Sequence, residues 1–139
     1  MSEASRFEDS RVRDALRDAA LARERCYAPY SRFRMGAAVV TDRDVVVPGA
    51  LVENVSLGLA MCAERVALFA CVAQGAGRPE ILALVAPRTS GDLTHPCGAC
   101  LQVALELAGP ELLVVVADPR GTTARAHLRE LAPAFPRKR

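Results

Sequence analysis

The chain has 139 residues, 51% of them apolar and 24% charged, with a formal charge of +2 from 18 basic and 16 acidic side chains. That length fits one domain, no apolar run reaches a membrane span, and so balanced a charge excludes a dedicated nucleic-acid surface. Aromatics make up only 4% and Trp is absent, so the core must be built from Ala, Val and Leu, which bury less area per residue than rings do.

Association with further copies would help such a chain. The stretch Met1 to Asp18 is charged, so no secretory signal is expected. Five cysteines, an odd number, suit a reduced cytoplasmic compartment in which thiols are free for metal or chemistry.

Ser10 to Cys26 reads as a helix, with Val12, Ala15, Leu16, Ala19, Ala20 and Ala22 on one stripe. Pro29 stops it, leaving residues 1–9 as a frayed start and Tyr27 to Ser31 as a turn. Phe33 to Thr41 and Val45 to Val47 read as a hairpin around Asp42-Arg43-Asp44. Cys62 to Gln74 is a buried helix ended by Gly75 and Gly77. Ile81 to Ala86 and Leu112 to Ala117 are continuous apolar runs suited to buried strands. Between them lie a polar loop, Pro87 to Pro96, and a helix, Cys97 to Leu107. A turn at Asp118 to Gly121, a short strand and a helix near Leu128 to Leu131 close the domain, with 136–139 as a frayed tail. The order α-β-β-α-β-α-β-β-α predicts a three-layer α-β-α sandwich around a mixed five-stranded sheet, one domain over 1–139.

Chemistry concentrates in three cysteines: Cys97 and Cys100 in Pro96-Cys97-Gly98-Ala99-Cys100, and Cys62 in Cys62-Ala63-Glu64-Arg65. Cysteines three apart at a helix start lie on one face, so both sulfurs can meet one ion. The helix N-terminus favours the thiolate form that zinc needs. Three thiolates leave one tetrahedral position open, the mark of catalytic rather than structural zinc. Alone, a Cys-x-x-Cys pair also fits a redox couple or a surface clip. The zinc deaminase signature is His-x-Glu followed by Pro-Cys-x-x-Cys, with Cys accepted for His, and Cys62-Ala63-Glu64 ahead of Pro96 to Cys100 matches both halves.

From Tyr27 to Phe135 the chain resembles the short, homotetrameric cytidine deaminases. The resemblance rests on Tyr27 to Ala38 (YAPYSRFRMGAA), Val52-Glu53-Asn54, the two cysteine motifs, and Leu131 to Phe135 (LAPAF). It implies hydrolytic deamination of cytidine or deoxycytidine with release of ammonia, one zinc per chain, a place in pyrimidine salvage, and a homotetramer whose subunits share active sites. By the same resemblance Cys62, Cys97 and Cys100 hold zinc and Glu64 shuttles protons. Phe33 packs on the base, Glu53 accepts from the sugar, and Ala63, Leu51 and Phe135 line the substrate. Arg65 donates to thiolate sulfur and offsets its charge. A 3.6-residue helix directs Glu64 away from Cys62, so its place beside the metal follows from resemblance and not from spacing.

Two departures bear on the substrate. Leu51 stands where the family has Asn, which removes a polar group from the sugar site, and Leu57 stands where an aromatic is usual; Leu101 also replaces a usual Arg. Leu51 keeps open a deaminase of a modified cytosine nucleoside, similar to blasticidin S deaminase. A zinc-stabilised protein without turnover would not need Glu64, and polynucleotide editing would need a basic groove. Cys71 reads as core filling, Cys26 as buried or idle, His95 as a loop residue rather than a fourth ligand, and His127 as structural.

Overall fold

Three central segments alternate two apolar faces. Ala37 and Val39, Leu82 and Leu84, and Val114 and Val116 belong to one buried cluster, whereas Ala38 and Val40, Ile81, Ala83 and Val85, and Val115 and Ala117 belong to another. A sheet covered on both faces needs helices on both. The computed structural model, which describes residues 2–138, has that architecture. Its elements are α1 (Glu3–Glu24), β1 (Gly36–Thr41), β2 (Val46–Ala50), a 3-10 turn (Leu57–Leu59), α2 (Ala63–Ala73), β3 (Pro79–Val85), α3 (Gly98–Ala108), β4 (Leu113–Ala117), β5 (Thr123–His127) and α4 (Leu128–Leu131).

The sheet order is β2-β1-β3-β4-β5, with β3 and β4 parallel and every other pair antiparallel. Helix α1 covers one face through Val12, Ala15 and Ala19. Helices α2, α3 and α4 cover the other through Ala67 and Leu68, Leu101 and Ala104, and Leu128. The mixed five-stranded sandwich expected from the sequence is therefore the fold. Among the described residues no helix is long and apolar enough to cross a membrane.

Two glycines set how closely the helices approach. A Cβ at Gly36 would stand 2.1 Å from the Ala19 carbonyl oxygen of α1, and one at Gly49 would stand 2.4 Å from the Ala67 nitrogen of α2. Only hydrogen fits there, so α1 seats on β1 and α2 on β2 backbone to backbone.

Element boundaries differ from the sequence reading by three residues or more in three places. Helix α1 starts at Glu3, not Ser10: the Ser2 side chain caps it by accepting from the Ser5 amide at 3.1 Å. Its first turns carry no apolar stripe, and Arg125 pairs instead with Glu8 and Asp9. Strand β1 starts at Gly36, not Phe33: the Phe33 amide donates to the Ser31 side chain, and Arg34 reaches back to the carbonyls of Arg23 and Glu24 at the end of α1. Strand β2 extends through Pro48 to Ala50, which an edge position tolerates. Residues 136–138 are exposed and irregular, yet Gln102 donates to the Pro136 carbonyl at 2.9 Å and Lys138 pairs with Glu106. Arg139, the end of the expected frayed tail, lies outside the described residues.

Candidate active site and metal centre

Strand β2 is antiparallel to β1, which is antiparallel to β3, so the chain leaves β2 and β3 at the same end of the sheet. Each exit leads to a helix on the same face, α2 and α3. Their N-termini converge. Cys62 is the N-cap of α2 and Cys97 the N-cap of α3, and neither side chain caps its own helix. Cys100 follows one turn into α3, fully buried.

The three sulfurs lie within 4.8 Å of one another, with Cys97 and Cys100 at 3.6 Å. Sulfurs tetrahedrally disposed about one zinc at ~2.3 Å are about 3.8 Å apart, so the set is already close to ligand spacing. All five cysteines are free thiols. An all-sulfur donor set suits zinc and not magnesium or calcium, and three donors leave a position open. No other group of three or more His, Cys, Asp or Glu side chains among the described residues could hold an ion.

Glu64 is 1% exposed, and its Oε2 stands 3.4 Å from Cys100 Sγ. Cys62, as the cap, has extended backbone (φ −66°, ψ 149°). Helical phasing therefore does not apply from 62 to 64, and Glu64 reaches across to α3. Burial pushes its carboxyl up to about 7, and the neighbouring Cys62 adds to this. Cys62 is held down to about 5, chiefly by the Cys100 thiol and further by Arg65, against its own burial. That same pairing and burial push Cys100 up. Arg65 Nη2 is 3.5 Å from Cys62 Sγ, and its Nε is buried without a hydrogen-bond partner. Arg65 thus places a cation against the sulfurs of Cys62 and Cys100, which a metal would bind as anions.

The description "cytidine and deoxycytidylate deaminase zinc-binding region" names the family model that matches residues 9–117, a span that holds all three sulfurs and Glu64. The chain belongs to this deaminase family. It is 38% identical to a cytidine deaminase of Halalkalibacterium halodurans over 118 residues, 85% of this chain and 88% of that one. A crystal structure of cytidine deaminase from Burkholderia pseudomallei is 42% identical, with TM-score 0.81, covering 88% of this chain and 96% of that one. The cytidine deaminase structure from Mycobacterium tuberculosis is 40% identical with TM-score 0.74, covering 88% and 94%. Family and donor set agree on a site for a single zinc.

Beside this deaminase-family centre lies a small backbone ladder. Val52 and Met61 exchange hydrogen bonds at 3.0 and 2.9 Å, and Glu53 N donates to the Tyr27 carbonyl at 2.8 Å. The ladder ties Glu53 and the Tyr27 turn to Met61, the residue before Cys62. Glu53 Oε1 accepts from the amides of Tyr30 and Ser31, and Oε2 from the Ser31 hydroxyl. That hydroxyl lowers the Glu53 pKa most, burial opposes it, and the two amides lower it further. The sequence gives Ser31 no role; the available signal is its hydroxyl two residues before Phe33, the spacing of a side-chain turn. Phe33 is half-buried against the α2–α3 core. So is Phe135, whose ring would lie 3.8 Å from a Cβ at Gly98, over the start of this chain's own α3.

Leu51 is 8% exposed and packs with Cys26 and Ala28, with Met35 against them. Ala63 is fully buried, and as the first residue of α2 its amide has no intrahelical acceptor. Leu101 and Cys71 are core residues. Leu57 stands 85% exposed on the 3-10 turn. His95 is exposed, with Nδ1 3.2 Å from the Leu93 carbonyl, and is not among the clustered ligands. His127 is the N-cap of α4, its amide donating to Glu130.

Proposed function

We infer that the chain catalyses hydrolytic deamination of cytidine or deoxycytidine, giving uridine or deoxyuridine and ammonia. The observation that carries this is the meeting of three thiols and one buried carboxyl at the joined N-termini of α2 and α3, in a chain of this family. Cys62, Cys97 and Cys100 would hold the zinc. When bound, zinc supplies Lewis acidity that brings the pKa of water toward neutrality.

Glu64 moves the protons. A carboxyl near pKa 7 both accepts and gives a proton at neutral pH. It takes one from the attacking water, delivers it to the ring nitrogen, and carries a second to the leaving amine as the C–N bond breaks. Arg65 offsets the net −1 charge of one zinc and three thiolates. Phe33 and Phe135 pack on the nucleoside, and the first amide of α2, at Ala63, has no intrahelical acceptor and faces a ligand oxygen. Glu53 accepts from the sugar, and Leu51 gives that region an apolar wall.

A homotetramer with shared sites is part of the proposal. Val55, Leu57 and Leu59, and Phe69 and Val72 of α2, are 45–85% exposed, large apolar side chains that a second copy would cover. Five free thiols suit a cytoplasmic protein, and the reaction suits pyrimidine salvage. A near-neutral charge of +2 argues against nucleic-acid partners. The experiment is ammonia release from a panel of cytosine compounds by the zinc-loaded protein. Cytidine and deoxycytidine should lead. Turnover confined to a sugar-modified or antibiotic nucleoside would favour the reading that Leu51 keeps open, and none at all would refute the proposal.

A further inference from the structure

One hydroxyl joins the two side chains proposed to hold the nucleoside. Ser31 Oγ lies 2.5 Å from Glu53 Oε2 and 3.0 Å from the Phe33 amide nitrogen. An ionised carboxylate only accepts and an amide N–H only donates, so the directions are fixed. Phe33 N–H donates to Ser31 Oγ, and the single Ser31 proton points at Glu53. Such a chain polarises each bond by the next. Arg32, between them, has φ 58°, a left-handed conformation that costs a non-glycine residue energy. It turns the Phe33 amide back over the serine hydroxyl.

The count of acceptor sites carries the argument further. A carboxylate offers about four lone-pair sites. The amides of Tyr30 and Ser31 fill both on Oε1, and the Ser31 hydroxyl fills one on Oε2. One acceptor site remains. Leu51, packed among Cys26 and Ala28, offers no polar atom on its side chain to supplement it.

Resting on the deaminase reading, we propose that Ser31 is a positioning residue that aims the Glu53 carboxylate and leaves it a single acceptor, so that the sugar is held there through one hydroxyl. The hydroxyl-bearing nucleoside is then recognised by a prealigned oxygen, whereas a nucleoside lacking both ring hydroxyls gains nothing from it.

The test compares kcat and KM for cytidine and 2′,3′-dideoxycytidine in zinc-loaded wild type, Ser31→Ala and Ser31→Thr. Ser31→Ala should raise KM for cytidine roughly three- to tenfold with little change in kcat, the effect of one misaligned hydrogen bond. The preference for cytidine over the dideoxy compound, read as the ratio of kcat/KM values, should fall by the same factor. Ser31 is exposed, so Thr has room for its methyl and should restore the ratio. Of 2′-deoxycytidine and 3′-deoxycytidine, one should behave as cytidine and the other as the dideoxy compound. An unchanged ratio, a parallel loss for both nucleosides, a Thr variant no better than Ala, or equal losses with both monodeoxy compounds would overturn the proposal. Wild type that releases ammonia from neither cytidine nor the dideoxy compound would overturn the deaminase reading itself, and this proposal with it.

Discussion

Glu64 of α2 and Cys100 of α3 stand 3.4 Å apart, carboxylate oxygen to sulfur, across 36 positions of sequence. Neither helix alone makes this contact; it exists because β2 and β3 leave the sheet at the same end and deliver both helix starts to one point. The placing of a buried carboxyl beside three clustered thiols thus depends on the seating of two helices.

Seating can be tested at the glycines. Gly49→Ala drives a methyl into the Ala63 carbonyl and Ala67 amide of α2, an overpacking worth about 1–3 kcal/mol, and displaces the helix that begins after Cys62. Gly36→Ala makes a comparable clash with α1, which contributes no ligand. Both variants should melt lower in thermal denaturation, but only Gly49→Ala should weaken zinc retention in competition with a chelator. Equal retention in the two would sever the link between α2 seating and the site.

Removing a ligand should remove the metal. Cys100→Ala leaves two of three sulfurs, and elemental analysis should find well under one zinc per chain where wild type holds one. Full zinc content in the variant would reassign the ligands.

Asp118 should contribute an acid sensitivity of its own. Burial, the largest single influence, raises its pKa, but the Thr122 amide, Arg88 and the Arg120 amide together outweigh it and hold the carboxyl below its usual 3.8. A depressed carboxyl contributes stability above the unfolded pKa and loses it as pH falls through the folded one. Urea midpoints should therefore fall more steeply below about pH 4 in wild type than in Asp118→Asn. Parallel slopes would remove this assignment.

Leu51 separates what the sequence could show from what it could not. Its departure from the family pattern was visible as a missing polar group, and the wall it makes at the sugar remains the proposal. Its burial against Cys26 and Ala28 was not visible, because residues 26, 28 and 51 meet only once the Tyr27–Val52 bridge forms. Likewise the clustering of the three thiols could be read from Cys-x-x-Cys spacing and the Cys62 motif, whereas the place of Glu64 could not: helical phasing fails at an extended cap residue. The central strands were legible from their apolar runs. The first turns of α1 were not, since a cap and ion pairs, not an apolar stripe, hold them.

Leu51→Asn should accordingly do two things. An amide placed among apolar neighbours costs about 1–3 kcal/mol, lowering the melting temperature. If residue 51 edges the sugar site, the KM for cytidine of the folded fraction should fall several-fold. A lower melting temperature with unchanged KM would confine Leu51 to packing.

The central claim is that Glu64 carries protons for deamination at the three-thiol centre without being a ligand. Its most direct test is the rate of ammonia release from cytidine by wild type and Glu64→Gln at equal, measured zinc content. Loss of the carrier should lower kcat by about 10²–10⁴ or more, since one carboxyl serves several transfers, with zinc still near one per chain. A Glu64→Gln protein that retains zinc and turns over within about tenfold of wild type would contradict the mechanism.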